Sequence, residues 1–469
     1  MTFWASEAAE AAETTVNMVN FWDTGVWGTF NLVAVLLASL LLATVMKKSI
    51  RVLREALIPT SVLGGILLLI IGSIYSALTG SNIFDTGFFG GNGIDKLETI
   101  TYHALALGFI ASALRSTGGK LSKQRTTEIF NTGVTTVSTY LLQAVFGLSI
   151  TIVAAWILTD FFPAAGILLP FGYGQGTGQA LNYGGIFETD YGFVGGRSFG
   201  LTVAALGFLS ASIGGVIHLN LLRRRGVVGK AGLEAEAEMP RREVRMNGSM
   251  DKITVQIALI ALAYILTSLI MMGLGKLLPG MKSLIYGFNF LIGVLVATVM
   301  KPVLRAIKPF RNSTDNFLLS RCSNFFYDIM VVAGIAAIRL SILEKYWGVM
   351  LILGVVGLVI TYAYNYFVAK KLFPGYVQEQ FLAMYGMLTG TASTGIILLR
   401  EVDGQFKTPA SDNLVYQNFP AIVFGFPLMF LATLAPKKPY LTLGILFAFF
   451  VVMNLILFRS AIFKKRQKK

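Results

Sequence analysis

The chain has 469 residues, of which 55% are hydrophobic and only 13% charged, with a mean hydropathy of +0.68 and a formal charge of +15. That balance excludes an ordinary soluble domain, and blocks such as Val33 to Met46 or Leu441 to Phe458 are too continuously apolar for the alternating strands of a β-barrel. The single cysteine, Cys322, rules out an intramolecular disulfide. His103 and His218 lack ligand-spaced partners, so no transition-metal site is expected, and no GxxxxGK[ST] motif is present to bind a nucleotide.

In chain order, residues 1–25 carry Glu7, Glu10, Glu13 and Asp23 but no Lys or Arg, unlike a cleaved signal peptide, and read as an acidic external extension. Hydrophobic windows then predict about eleven membrane spans. Those of the first half are Val26 to Met46, Leu57 to Leu78, Ile100 to Leu114, Val134 to Leu158 and Phe199 to Leu222. Those of the second are Ile253 to Leu274, Leu284 to Met300, Phe325 to Leu343, Trp347 to Ala369, Leu414 to Leu434 and Leu441 to Phe458. A polar linker, 223–251, separates residues 26–222 from 252–434, and residues 435–469 add one more span and a basic tail.

An odd number of spans before the linker starts the second half from the opposite side, so the halves are expected to form an inverted repeat of five helices each. Tyr102-His103 followed by Gly108, Ile110 and Ala111 resembles Tyr327-Asp328 followed by Gly334, Ile335 and Ala336. Matching repeat positions make His103 and Asp328 candidates for a coupling role or for an ordinary hydrogen-bonded one, since an ionisable group within a span is costly unless paired or wetted. His218, near the end of its span, reads as an interfacial residue.

Lys47, Lys48, Arg51 and Arg54, the stretch Arg115 to Arg125, the linker, Lys301 to Arg311, Lys370 with Lys371 and the tail Lys464 to Lys469 fall on one side. The positive-inside rule makes that side cytoplasmic, with the N-terminus outside and the C-terminus inside. These cations face the anionic inner leaflet, each favourable by about 1 kcal/mol, so the net charge needs no nucleic-acid partner.

Tyr173-Gly174-Gln175-Gly176-Thr177-Gly178-Gln179-Ala180 is echoed by Tyr385-Gly386-Met387-Leu388-Thr389-Gly390-Thr391-Ala392. Glu188 with Asp190 follows the first copy, and Glu401 with Asp403 follows the second at a similar distance. The copies lie in stretches, about 161–197 and 374–405, that combine Gly and Pro with apolar runs such as Ala164 to Phe171. Backbone of that kind within a membrane is tolerated where protein or a wet cavity surrounds it, so two re-entrant hairpins are expected to meet tip to tip from opposite sides. A flexible surface loop with a small-residue packing face is the bland alternative.

Broken helices offer free N–H groups and positive dipole ends to anions, while unwound carbonyls and hydroxyls replace the hydration shell of a cation. Gly174, Gly176, Gly178, Gly386 and Gly390 are expected to permit the breaks. The candidate substrate ligands are Gln175, Gly176, Thr177, Gly178, Gln179, Asn182, Gly390, Thr391, Ser393, Thr394 and Arg400, with Arg400 either clamping a carboxylate or pairing with Glu401. Candidate ion ligands are Gly174, Thr177, Thr389, Thr391 and Ser393. Glu188, Asp190, Glu401 and Asp403 read more as loop and cap residues. Asn131, Ser138, Thr139 and Gln143 form a polar stripe on span four, and Gln417, Asn418, Pro420 and Pro427 mark span ten; such stripes bond neighbouring helices.

The chain resembles the bacterial sodium/glutamate symporter (ESS) family. The likeness rests on Ile58-Pro59 followed by Leu63-Gly64-Gly65, on Gly172 to Thr177 followed by Tyr191-Gly192, on Ile213-Gly214-Gly215 and on Gly390 to Thr394. It departs where Tyr173-Gly174-Gln175 replaces Gly-Gly-His and where Ser393-Thr394-Gly395 replaces an Asn-rich stretch; Gln175 cannot titrate as a histidine does. The resemblance implies an elevator-type secondary transporter, a homodimer, and sodium as coupling ion with no other cofactor. The expected function is therefore sodium symport of a small anionic amino acid, glutamate-like, or a related carboxylate, in the inner membrane. A proton-coupled transporter or exporter and a channel stand as alternatives; the scattered candidates do not suggest an enzyme.

Overall fold

The computed structural model describes residues 24–115, 122–226, 250–311, 313–404 and 407–459. Nearly all of the expected N-terminal extension, most of the linker and the basic tail lie outside them. Among the described residues no β-strand occurs and ten helices are long and apolar enough to cross a membrane.

The first half contains α1 (Thr24–Ser49), α2 (Thr60–Thr79), α3 (Gly93–Leu114), α4 (Lys123–Ile157), α5 (Leu168–Gln175), α6 (Thr177–Tyr191) and α7 (Gly196–Arg224). The second contains α8 (Lys252–Leu277), α9 (Asn289–Ala306), α10 (Asn316–Ala336), α11 (Trp347–Leu372), α12 (Val377–Thr389), α13 (Ala392–Arg400), α14 (Ala410–Tyr416) and α15 (Asn418–Leu434); α16 (Pro439–Leu457) closes the described chain. Local chemistry sets several ends. Ser122, Asp251 and Asp315 accept backbone N–H groups at the starts of α4, α8 and α10. Lys47 and Lys48, Arg223 and Arg224, and Lys370 and Lys371 occupy the last turns of α1, α7 and α11, where cations complement the helix dipole.

The expected span Leu414 to Leu434 is found as a bent pair, which passes as a span only when its two helices are taken together: Ala410–Tyr416 and Pro420–Leu434 meet at 51°. Pro420 has no N–H to give to the preceding turn, and its ring excludes the carbonyl four residues back. Gln417 fills the bend, accepting a hydrogen bond from Thr136 at 2.8 Å.

Burial separates the helices into an interior and a periphery. The apolar window of α7 is 67% buried and that of α10 is 61%, against 22% for α1 and for α16, so the latter two present most of their surface outward. At the centre α3 crosses α10: a Cβ on Gly108 would lie 2.6 Å from the Tyr327 ring, and Ser112 and Ser323 hydroxyls bond at 2.8 Å. Two flanking contacts mirror each other across this crossing. Gly65 of α2 receives Ile335 of α10, and Gly293 of α9 receives Ile110 of α3, each too close for a larger residue.

Helix α7 is the rail on which α5–α6 and α12–α13 rest. Cβ atoms on Gly200, Gly207 and Gly214 would fall 2.3 Å from the Ala180 carbonyl, 2.6 Å from the Thr389 carbonyl and 2.1 Å from the Tyr385 hydroxyl. Seven-residue spacing keeps these positions near one face, drifting only about 20° per interval. The first tyrosine of each echoed octapeptide ends at one residue of this rail: Tyr173 Oη lies 2.9 Å from Ser210 Oγ, and Tyr385 donates to the Ser210 carbonyl at 2.7 Å.

Candidate functional site

Each octapeptide lies across a helix break. The first falls at Gly176, whose φ of +80° is a left-handed value that disfavours side chains; the second falls at Gly390-Thr391, between α12 and α13. The echo is therefore out of register with the geometry, since Gly176 aligns with Leu388 in sequence. Correspondingly, the expectation that all five glycines open the helices is corrected. Gly174 instead admits the Tyr140 ring, Gly178 admits Leu105 and Met330, and Gly386 admits Gly395.

The two tips touch. A Cβ on Gly176 would lie 3.5 Å from Thr391 Cγ2 and 3.8 Å from the Gly390 carbonyl. Beside them is a cavity of about 570 Å³, a size suited to a small ligand. Gly174, Gln175, Gly390, Thr391, Ser393 and Arg400 line it, which brings part of the expected set together. Neither Gly176 nor Thr391 supplies a side-chain cap to the helix that follows, so α6 and α13 both start with uncapped N–H groups near the tips.

Other expected ligands sit behind the cavity wall. Thr177 donates to the Met330 carbonyl at 3.3 Å, Asn182 to the Gly287 carbonyl at 2.5 Å and Thr389 to the Tyr385 carbonyl at 2.6 Å. Thr394 lies 3.4 Å from the Thr391 hydroxyl. Gly178 is packing, and buried Gln179 leaves both amide atoms without a partner among the described residues.

Among the described residues that line it, three are charged: Arg115, Arg400 and Asp328. Arg115 Nε is buried with no hydrogen-bond partner among the described residues. Ser61, and Asn324 one turn before Asp328 on α10, line the same wall as Asp328. Among the described lining residues, two guanidiniums and one carboxylate therefore share the cavity wall. Sequence reasoning did not single out Arg115, Ser61 or Asn324. The available signals were the Asn324–Asp328 pair at helical spacing and the hydroxyls directly after Pro59.

His103 and Asp328 occupy matching positions in sequence but different surroundings: His103 is exposed and bonds Tyr264 Oη at 2.6 Å, away from the cavity. His218 is buried between Tyr362 Oη at 2.7 Å and Gln378 Oε1 at 2.8 Å. The Glu-x-Asp pairs anchor loops. Glu188 accepts the Arg197 N–H at 3.1 Å, Glu401 the Arg223 guanidinium at 3.0 Å, and Asp403 the Thr408 hydroxyl at 2.6 Å; Asp190 accepts from Ser283 at 3.2 Å. Along the stripe of α4, Asn131 accepts from Arg459 at 3.1 Å, and Gln143 donates to Thr361 and to the Leu388 carbonyl, each at 2.9 Å.

No protein-family model matches the chain, and no curated protein matches it.

Proposed function

We propose that the protein is a sodium-coupled secondary symporter for a small anionic amino acid, glutamate-like, or a related carboxylate. The observation that carries this reading is the meeting of two broken helix pairs at the head of a cavity holding Arg115, Arg400 and Asp328. Broken helices at a shared centre let a protein bind ions and anions through backbone groups, as transporters do. Inward movement of one net positive charge per cycle gains about 2.3 kcal/mol per 100 mV, enough to drive uptake without a nucleotide.

The two halves form an inverted repeat in this reading, supported by the exchange of Gly65–Ile335 for Gly293–Ile110 about the α3–α10 crossing. An elevator movement of the hairpins against a scaffold, a homodimer, and placement in a bacterial inner membrane with the N-terminus outside belong to the same proposal. The lining residues Thr60, Arg115, Ser320 and Arg400 stand at the start of α2, beyond the end of α3, in the first turns of α10 and at the end of α13. Those ends adjoin the basic clusters, so the cavity faces the cytoplasm in this proposal. Towards the opposite end, Arg197 pairs with Glu98 and Glu188, each at 3.5 Å, and Phe162 stacks on Phe193, closing the outer side.

Reconstituted in proteoliposomes, the chain is expected to accumulate glutamate or a related carboxylate under an inward sodium gradient, and Arg400→Ala is expected to lower that uptake at least about tenfold, the loss of one charge-assisted contact. Uptake that persists unchanged when choline replaces sodium would remove the coupling. Asp328, the one acid among the described lining residues, favours a second reading, a proton-coupled transporter; accumulation driven by a pH gradient alone would establish it.

A further inference from the structure

Helices α4 and α11 pack along a seam that holds Thr139, Gln143, Thr361 and Asn365, each no more than 2% exposed. Their hydrogen bonds place the side-chain amide N–H groups of Gln143 and Asn365 but not the amide oxygens. Gln143 Nε2 donates to Thr361 Oγ1 and to the Leu388 carbonyl, both at 2.9 Å. Asn365 Nδ2 donates to the Thr361 carbonyl at 2.9 Å and lies 3.4 Å from Thr139 Oγ1. Gln143 Oε1 and Asn365 Oδ1 remain buried without a partner among the described residues. Exchanging the amide atoms does not help, because it would set Oε1 against the Leu388 carbonyl and Oδ1 against the Thr361 carbonyl. An unsatisfied buried acceptor costs about 1–3 kcal/mol, so two in one seam call for an occupant that offers positive charge or protons.

We propose that this seam binds a sodium ion through Gln143 Oε1 and Asn365 Oδ1, assisted by the threonine hydroxyls between them. The group is built from neutral oxygens, which suits a monovalent cation; a divalent one calls for carboxylates. The position also explains how an ion acts on the cavity. Gln143 holds the Leu388 carbonyl, in the last turn of α12, two residues before the Gly390 break. An ion that fixes the Gln143 amide therefore fixes the tip of the second hairpin, where Thr391 and Ser393 face the cavity. This assignment deepens the sodium-coupled reading and rests on it for the ion's identity. It also differs from the ion ligands expected from sequence, Gly174, Thr177, Thr389, Thr391 and Ser393.

Thermal unfolding of the purified full-length protein, titrated with NaCl against choline chloride and KCl at constant ionic strength, tests it. The wild type is expected to gain stability with sodium in a saturating manner. Gln143→Met and Asn365→Ala are each expected to raise the sodium midpoint at least about tenfold, the loss of one buried oxygen ligand. If one variant fails to fold, the other carries the test. Wild-type midpoints in the folded variants overturn the assignment even where proteoliposome uptake remains sodium-driven, which would leave the coupled reading standing and assign the ion elsewhere. A wild-type melting point that sodium raises no more than choline or potassium means that the seam holds water, and the assignment falls.

Discussion

The two hairpins are built from similar octapeptides yet face the cavity unequally. In the first, only the end of α5 reaches it, through Gly174 and Gln175, while the arm that follows, α6, is tied into the fold by Thr177 to Met330 and Asn182 to Gly287. In the second, the following arm forms the wall: Thr391, Ser393, Ile396 and Arg400 of the break and α13 all line the cavity. The same motif thus serves as an anchored post in one half and as a ligand-facing finger in the other. What differs is the neighbour: α10 covers α6 through Gly334, which lies against Thr177, whereas the corresponding face of α13 is left to the cavity.

The largest effect is expected where the rail holds both hairpins at once. Gly207→Val would place a branched side chain 2.6 Å from the Thr389 carbonyl of the second hairpin and 3.1 Å from the Tyr173 ring of the first. Overpacking of this kind costs about 1–3 kcal/mol. A melting point several degrees lower, with uptake lost, is the expected result. An unchanged melting point would mean that the hairpins do not depend on a common rail.

Replacing one methyl-for-hydroxyl group on each hairpin sharpens the contrast. Thr391→Val removes the hydroxyl of a residue that lines the cavity and is expected to weaken ligand binding by roughly tenfold with little change in stability. Thr177→Val removes a buried bond to the Met330 carbonyl and is expected to cost about 1 kcal/mol of stability with ligand affinity held. Equal weakening of ligand binding by both would show that the two tips contribute alike, and the division into post and finger would fail.

Much of this arrangement was legible in the chain. Continuous apolar blocks marked the helices, and the Gly/Thr echo marked the neighbourhood of both breaks, because glycine is needed where a helix opens or another backbone comes close. The register of the breaks was not legible. Gly176 opens its helix through a positive φ, but the second break falls two residues later in the motif, at a place decided by how α12 seats on Gly207 and Gly214. The tyrosines that begin each octapeptide looked like part of a site, and they are instead anchors on Ser210, a partner that only the packed fold supplies. Arg115, Ser61 and Asn324 were missed for a related reason: each is unremarkable within its own helix and acquires meaning from the several elements that converge on the cavity. The bend at Gln417 likewise reflects a tertiary contact with Thr136 as much as the proline beside it.

The smallest effect concerns how each hairpin is closed on its far side. Glu188 fastens the first by accepting the Arg197 N–H, and Asp403 fastens the second through the N–H groups of Lys407 and Thr408, at 2.9 and 2.8 Å, and the Thr408 hydroxyl. Burial pushes the Asp403 carboxyl upward, but the Thr408 and Lys407 hydrogen bonds and the Lys407 charge outweigh it and hold the group below its ordinary value of 3.8. A depressed folded-state value means that ionised Asp403 favours the native state above the unfolded value, and that this contribution is lost as pH falls through the folded one. Asp403→Asn is therefore expected to lower stability at neutral pH by about 1 kcal/mol or less, with the difference from wild type shrinking as the pH is brought down through the carboxylate range. Melting curves of the two proteins across that range decide the matter. A difference that stays constant into acid would assign the effect to side-chain shape, and the second hairpin would then owe its closure to packing, as the first owes the fixing of its tip to Met330 and Gly334.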